Sequence, residues 1–181
     1  MLFRSVDLNA LVAELGEVFE NDLRSRRITL VVDTPLPVVE GERARLRQVF
    51  QNLIDNAVKY MGEGAPAGDA TGDAAGGARV REIHVGCTVR ADEAEFYVRD
   101  TGIGIEQEDL DKVFRVFRRG KNPAVQGVPG KGVGLASVKS IVETYSGTIW
   151  VESRLGRGST FRFTINGKYV SAPPRGDARA A

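Results

Sequence analysis

The stretch Asn52-Leu-Ile-Asp-Asn56-Ala-Val-Lys59-Tyr60 places two amides and a lysine among apolar residues at helical spacing. The apolar residues continue a stripe that predicts one amphipathic helix from about residue 43 to 60. The stripe consists of Leu46, Val49, Phe50, Leu53, Ile54 and Ala57. Asn52, Asn56 and Lys59 form a polar stripe beside it, because residues three or four apart share one helix face. Two asparagines inside a helix cost about 1 kcal/mol relative to alanine, which suggests a use for them.

Toward the N-terminus, the pattern predicts a helix and a strand. Apolar residues recur at helical spacing over roughly 7–26, behind Ser5 or Asp7 as the N-cap. The β-branched segment 28–32 predicts a strand. Pro35-Leu-Pro37 predicts a rigid turn before the second helix.

Toward the C-terminus, a change of composition marks a loop before the remaining elements. Residues 62–80 are rich in Ala and Gly and predict a mobile surface loop. The later elements are predicted as strands near 80–90 and 94–100, a short helix over 106–118, a flexible loop over 119–134, a helix over 135–146, and strands at 148–153 and 159–165. Three main helices and about five strands predict a two-layer α/β (α+β) sandwich, with the helices on one face of a mixed sheet.

Composition and charge exclude several classes of protein. At 181 residues the chain fits one domain, and 42% hydrophobic with 27% charged residues is ordinary for a soluble globular protein. A net charge of +1, with bases and acids interleaved, argues against a nucleic-acid partner. No apolar stretch approaches the about 20 residues of a membrane span, and no secretion signal is present. We therefore expect a cytoplasmic domain without membrane contact.

The one cysteine and the one histidine are predicted to be structural. Cys87 alternates with other apolar residues on a predicted strand, so we interpret it as a small core residue rather than a reactive thiol. His84 lies on the opposite face of the same strand, where a surface or cross-strand residue is the favoured interpretation.

The polar stripe of the second helix suits a metal ion accompanied by phosphates. An amide oxygen is a hard neutral ligand for Mg²⁺, which takes further oxygens from water and phosphate. Lys59 can neutralise a phosphate as a point charge. For Asn52 alone, a solvated helix edge remains the simpler interpretation, so the assignment depends on the later motifs.

Asp100-Thr-Gly102-Ile-Gly104 ends a strand with a carboxylate and then enters a turn. A buried carboxylate can accept a hydrogen bond from an exocyclic amine, while the two glycines let backbone approach a flat ring closely. A turn that only ends the strand is an equally good interpretation of this stretch alone.

Gly130-Lys131-Gly132-Val133-Gly134 directly precedes the third predicted helix. Successive N–H groups at a helix start form an anion site. A Walker loop is excluded because Lys131 is followed by Gly132 instead of Ser or Thr, and a dinucleotide fingerprint is excluded because no strand precedes the stretch. A phosphate-binding loop of another type and a plain flexible connector both remain.

In this order, and with Gly156-Arg-Gly-Ser-Thr160, these stretches resemble the catalytic, ATP-binding domain of bacterial sensor histidine kinases. The resemblance covers roughly residues 5–166 and implies the Bergerat fold shared with DNA gyrase, Hsp90 and MutL. In the terms of that family, the matching segments are the N box at 52–60, the G1 box at 100–104, the F box at 114–117, the G2 box at 130–135 and the Gly-Thr element at 156–160.

The resemblance implies ATP and Mg²⁺ as cofactors. Asn56 would ligate Mg²⁺, with Asn52 supporting the phosphates and Lys59 contacting one of them; these three form the implied catalytic group. Asp100 would hold the adenine amine, with Thr160 nearby through water. The other residues implied to bind nucleotide are Tyr60, Gly102, Gly104, Ile105, Gly130, Lys131, Gly132, Val133, Gly134 and Leu135, with Arg118 or Arg119 as further phosphate contacts.

The implied domain spans residues 1–168, with a flexible loop at 62–80, an ATP lid at 118–133 and a disordered tail at 169–181. It would donate the γ-phosphate of ATP to a histidine on a dimerisation hairpin, since this sequence lacks the expected phospho-accepting motif. A response regulator would act downstream in two-component signalling. The alternatives are a slow ATPase of the gyrase or chaperone type, a nucleotide-binding interaction module and an anti-sigma serine kinase. The ATPases have a glutamate where this chain has Asn52.

Overall fold

The computed structural model describes residues 4–62, 80–115 and 133–171. The helices are α1 (Leu8–Val18), α2 (Glu20–Ser25), α3 (Arg43–Lys59) and α4 (Gly134–Thr144), with 3₁₀ helices at Gln107–Lys112 and Gly167–Tyr169. The strands are β1 (Arg4–Asp7), β2 (Thr29–Val32), β3 (Val38–Gly41), β4 (Glu82–Val89), β5 (Glu93–Asp100), β6 (Ile149–Arg154), β7 (Gly158–Asn166) and β8 (Val170–Ser171).

Five strands form one mixed sheet in the order β2-β4-β5-β7-β6. Strands β2 and β4 are parallel, whereas the other neighbouring pairs are antiparallel. Helix α3 packs on β4 and β5, and α4 packs on α3 and β7. The predicted two-layer sandwich with helices on one face of a mixed sheet is therefore confirmed.

The core lies between α3 and the centre of this sheet. Phe96 of β5 and Phe163 of β7 stack with their ring centroids 5.1 Å apart. Phe50 of α3 meets both rings edge-on, at 6.0 and 5.6 Å. Aromatic pairs in these geometries add to the stabilisation from burying their area. The aromatic cluster holds α3 across the sheet. The polar stripe of α3 then lies beside its buried apolar stripe.

A second, smaller sheet was not predicted. Its three short strands have the order β1-β3-β8, and β3 lies where the sequence suggested only a turn leading to α3. Val170 pairs with Val39 and Ser171 with Val38, so the tail predicted from residue 169 is wrong for its first residues. Strands of two and four residues are too short to show a clear alternation of apolar and polar positions.

Two predicted helices also differ from the observed ones. The helix expected over 7–26 is two helices, because the backbone at Phe19 (φ −91°, ψ 2°) leaves the helical region. Leu23 beyond the break is still buried, so the apolar spacing persists across it. The short helix expected over 106–118 is a 3₁₀ helix ending at Lys112, and 116–118 lie outside the described residues.

The face of the sheet opposite the helices is polar. His84 lies across from Arg99 and is bonded to the carboxylates of Asp33, at 2.7 Å, and Glu82, at 3.0 Å. The bond to Asp33 raises the pKa of His84. The prediction of a cross-strand histidine is confirmed, and Cys87 is buried as expected. Among the described residues, no helix has both the length and the apolar character needed to cross a membrane.

Candidate nucleotide-binding site

The polar stripe of α3 contains the first group of candidate residues. Asn52 and Asn56 are half-buried at the edge of the helix. The Asn52 amide nitrogen donates to the carbonyl of Gly134, the first residue of α4, at 3.4 Å. The side chain of Asn56 has no hydrogen bond to any residue in the described ranges. A half-buried amide without a partner among the described residues is suited to bind a ligand, because leaving it unpaired costs free energy.

Lys59 has a partner already. Its ammonium group forms an ion pair with Asp55, one turn earlier on the same helix, and both side chains are 34% exposed. A contact between Lys59 and a phosphate would have to compete with this pair. Such half-exposed pairs contribute little to stability, so exchanging the partner is inexpensive.

The C-terminal end of α3 meets the turn at 100–104 directly. The carbonyl of Tyr60 accepts a hydrogen bond from the Ile103 amide at 3.0 Å. A Cβ atom on Gly102 would lie 2.3 Å from that same carbonyl oxygen, so only glycine fits there. Tyr60 therefore contributes its backbone to the contact, and Asn56, one turn earlier, lies near the end of the strand that carries Asp100.

Asp100 is buried at the end of β5, with 6% of its surface exposed. Its Oδ1 accepts hydrogen bonds from the Gly102 amide at 2.8 Å and the Ser159 amide at 3.3 Å. Its Oδ2 receives none from the described residues. Burial raises the pKa of this carboxyl to about 6, although the two amide bonds act in the opposite direction. Asp100 is thus a buried acceptor with one oxygen held in place and one that no described residue uses.

Two further glycines hold the 100–104 turn against the turn between β6 and β7. Gly104 (φ +72°) and Gly158 (φ +88°) have left-handed backbones, and a Cβ on either would come within 2.2 Å of a backbone oxygen. For Gly104 that oxygen belongs to Arg154, and for Gly158 it belongs to Asp100. Three motifs that are far apart in the sequence therefore form one closely packed unit.

The strand register corrects one predicted contact. Asp100 pairs with Ser159, whereas Thr160 pairs with Arg99 on the opposite face of the sheet. Thr160 thus does not lie beside Asp100, and Ser159, which the sequence analysis missed, does. The alternation of buried Phe161, Phe163 and Ile165 on β7 was the available signal, because side chains two residues apart on a strand share a face.

The remaining predicted residues fall into two groups. Ile105 is half-buried and its amide donates to the Ser153 hydroxyl at 2.8 Å. Val133 precedes α4, and Gly134 and Leu135 are its first two residues, with Gly134 next to Asn52. Phe114 of the predicted F box packs edge-on against Phe161 with ring centroids 6.3 Å apart. Outside the described residues lie Gly130, Lys131, Gly132, Phe117, Arg118 and Arg119.

The donor set fits a nucleotide with a hard cation. In the described parts of the chain, no group of three or more His, Cys, Asp or Glu side chains could hold a metal by itself. A metal bound here would take the Asn56 amide oxygen and complete its shell with oxygens of phosphate and water, which is typical of Mg²⁺.

A family model described as "Histidine kinase-, DNA gyrase B-, and HSP90-like ATPase" matches residues 41–168. This match covers more than half of the chain, which therefore belongs to that family of ATP-binding domains. The matched region includes every motif described above.

The chain is also similar to individual proteins of known name. The chain is 37% identical over 174 residues to cyanobacterial phytochrome A of Nostoc sp., covering 91% of this chain and 20% of that protein. It is 34% identical over 164 residues to the adaptive-response sensory kinase SasA of Synechococcus elongatus, covering 90% of this chain and 38% of that one. The chain thus spans about a fifth to two fifths of the length of these two relatives.

Solved structures agree with this assignment. The nucleotide-free catalytic domain of the histidine kinase ThkA superposes with a TM-score of 0.70 at 27% identity, covering 92% of this chain and 98% of that one. A structure of ThkA in complex with the response regulator TrrA matches with a TM-score of 0.66 at 26% identity, covering 91% of this chain and 41% of that one.

Proposed function

We propose that this chain is the catalytic part of a histidine kinase, which binds Mg-ATP and donates the γ-phosphate to a histidine on a dimerisation hairpin. The observation that carries the proposal is the packing of the Asn56 end of α3 against the turn that follows Asp100. Each of these two side chains keeps an oxygen that no described residue uses. The two groups would bind opposite ends of one nucleotide.

In this proposal each residue has a distinct task. Asn56 ligates Mg²⁺, Asn52 supports the phosphates, and Lys59 contacts a phosphate after leaving Asp55. Asp100 accepts a hydrogen bond from the adenine amine. When bound, Mg²⁺ supplies positive charge that offsets the charge on the phosphates. The domain would comprise residues 1–168, with 118–133 as the ATP lid and Lys131 reaching the phosphates.

For phosphotransfer, this domain has to position the reacting groups rather than take part in covalent chemistry. Phosphoryl transfer is accelerated mainly by in-line alignment and by neutralising charge on the phosphates. A neutral imidazole is already a good nucleophile, so no general base is needed. The one histidine of the chain, His84, is held in the sheet by two carboxylates, which supports an acceptor supplied by another segment or protein.

Slow ATP hydrolysis is the second candidate function. The observation that weighs against rapid hydrolysis is Asn52, which stands where the ATPases of this superfamily carry a water-activating glutamate and which cannot act as a base. A response regulator is the proposed downstream partner, supported by the ThkA complex with TrrA.

The first experiment measures binding of a non-hydrolysable ATP analogue with Mg²⁺ and with EDTA. We expect Asn56→Ala to abolish the Mg²⁺ dependence and Asp100→Ala to weaken binding at least tenfold, the effect of about 1.4 kcal/mol. Asn21→Ala and Asp92→Ala are matched controls, because both side chains are exposed and lie outside the motifs, in α2 and between β4 and β5. Mg²⁺-dependent binding that survives in Asn56→Ala would contradict the assignment.

The second experiment tests the reaction itself. A histidine-containing dimerisation hairpin from a relative is mixed with the chain and ATP labelled in the γ-phosphate. We expect phosphate that is stable to alkali and labile to acid on the hairpin. Rapid release of free phosphate without the hairpin would favour an ATPase instead. Nucleotide binding with neither transfer nor release of phosphate would leave the nucleotide-binding interaction module.

A further inference from the structure

The Ser153 hydroxyl lies at the centre of a hydrogen-bond cluster beneath Asp100. Ser153 on β6 pairs with Ser159 on β7, which in turn pairs with Asp100 on β5, and the three side chains share the helix-facing side of the sheet. The Ser153 Oγ lies 2.8 Å from the Ile105 amide, 2.8 Å from the Gly158 carbonyl oxygen and 2.9 Å from the Ser159 Oγ.

These three distances determine where the proton of Ser153 points. A hydroxyl has one proton to donate and two lone pairs that accept. The Ile105 amide can only donate and the Gly158 carbonyl can only accept. If the proton pointed elsewhere, lone pairs of two oxygens would face each other at 2.8 Å. Ser153 therefore donates to Gly158 and accepts from Ile105.

The direction of the Ser159 proton follows from that of Ser153. Because the proton of Ser153 is used on Gly158, the 2.9 Å contact between the two hydroxyls requires Ser159 to donate to Ser153. Ser159 is left with lone pairs only. Asp100 directly across the strand pair also offers an acceptor, its Oδ2, to which no described residue donates. Two neighbouring groups in this buried corner thus present acceptors and no donor.

We propose that Ser153 is a positioning residue that holds Ser159 as an acceptor, so that the site selects a purine with a 6-amino group over one with a 6-oxo group. The 6-amino group of adenine donates two hydrogens and matches two acceptors. A 6-oxopurine presents an acceptor oxygen beside an N–H donor, so its oxygen would face lone pairs. This inference rests on the proposed function, since it concerns the base of the same nucleotide.

Substitution of Ser153 is expected to reduce the preference for a 6-amino purine over a 6-oxo purine. In Ser153→Ala the Ser159 proton becomes free to rotate and donate to a 6-oxo group, while Asp100 accepts from the adjacent N–H. The test measures dissociation constants of Mg-ADP and Mg-IDP by calorimetry for the full chain. We expect the preference for Mg-ADP to fall by about tenfold in Ser153→Ala, because an unmatched buried polar group costs on that order.

Three variants make the test specific. Ser153→Thr keeps the hydroxyl and should restore the preference, whereas exposed Thr88→Ala on β4 should leave it unchanged. Ser159→Ala should also lower the preference, and the double variant should match Ser159→Ala alone, since Ser153 acts through Ser159. If Ser153 had a purely structural role, Ser153→Ala would weaken the binding of Mg-ADP and Mg-IDP equally.

The outcomes separate this inference from the proposed function. An unchanged preference in Ser153→Ala overturns the inference. Should that variant fail to fold, an unchanged preference in Ser159→Ala overturns it equally. Failure of the unmodified chain to bind either nucleotide overturns the proposed function itself.

Discussion

At the scale of single residues, Asp100 shows how burial creates a chemically distinct group. A carboxylate with 6% exposure loses most of its hydration, which raises its pKa to about 6 from an ordinary value of 3.8. The fold therefore favours the protonated form relative to the unfolded chain. The contribution of the protonated Asp100 carboxyl to stability is fully present below pH 3.8 and is lost as the pH rises through about 6.

We predict that Asp100→Asn removes this pH dependence. Without nucleotide, raising the pH from about 4 to about 7 should lower the unfolding free energy of the unmodified chain by about 2 to 3 kcal/mol more than that of the variant. Urea unfolding at the two pH values measures the difference. Asp92→Asn is the exposed control and should track the unmodified chain. A gap between Asp100→Asn and the unmodified chain that is the same at both pH values would contradict the prediction.

At the scale of elements, the site depends on how turns and helix ends interlock. Gly156 and Gly158 belong to the same turn and both have a left-handed backbone, at φ +75° and +88°. A Cβ on Gly156 meets nothing within 4 Å, whereas a Cβ on Gly158 would lie 2.0 Å from the Asp100 carbonyl oxygen. Local geometry is alike at the two positions, and only the contact with β5 differs.

We predict different costs for alanine at these two glycines. Gly156→Ala should lower the unfolding free energy by about 1 kcal/mol, the cost of a left-handed conformation. Gly158→Ala should lower the unfolding free energy by roughly 3 kcal/mol or more, because the β5 backbone must also move. Thermal or urea unfolding measures both. Nucleotide binding should weaken only in Gly158→Ala, and equal losses at both positions would show that the contact with β5 is unimportant.

The two helices that carry the site are joined at a second place. The Tyr145 hydroxyl, just beyond α4, accepts a hydrogen bond from the Glu42 amide at the start of α3, at 3.0 Å. Gly41 admits the ring, since a Cβ there would come within 2.5 Å of the hydroxyl oxygen. Together with the contact between Asn52 and Gly134, this bond fixes α4 along α3 at both ends.

Tyr145→Phe tests this connection. The ring is buried, so the variant keeps the packing and loses only the acceptor for the Glu42 amide. We expect a loss of about 1 kcal/mol in unfolding free energy, measured in urea. Unchanged stability would mean that water replaces the hydroxyl at no cost.

At the scale of the whole molecule, the site joins parts that would otherwise be held only by the core. It lies where the end of α3, the end of β5, the turn between β6 and β7, and the start of α4 meet. A ligand bound there stabilises the folded state of the entire domain, because only the folded chain assembles the four segments.

Nucleotide should therefore raise the stability of the domain in proportion to its binding. At a free concentration about one hundred times its dissociation constant, Mg²⁺ with an ATP analogue should add about 2.7 kcal/mol to the unfolding free energy. Asn56→Ala should lose the part of this gain that depends on Mg²⁺, and Asn21→Ala should keep it. A gain that is identical with EDTA would contradict a role for Asn56 in metal binding.

Much of this architecture could be predicted from the sequence because its signals are local. The stripe from Leu46 to Ala57 and the alternation along β4, β5 and β7 report which face of each element is buried. The order of the motifs pointed to the family. Short strands and the break at Phe19 were missed, since the first carry too few residues for a pattern and the second does not disturb the apolar spacing.

By itself the sequence determined the longer elements, the sandwich and the set of motif residues, since periodicity and residue chemistry belong to neighbours along the chain. Only the tertiary structure decided that Ser159, not Thr160, stands beside Asp100, and that Gly102 makes room for the Tyr60 carbonyl. It also decided that the Ser153 hydroxyl lies between the Ile105 amide and the Gly158 carbonyl. The physical reason is that strand register and backbone contacts between distant segments are set by packing, where a shift of one residue turns every side chain to the other face.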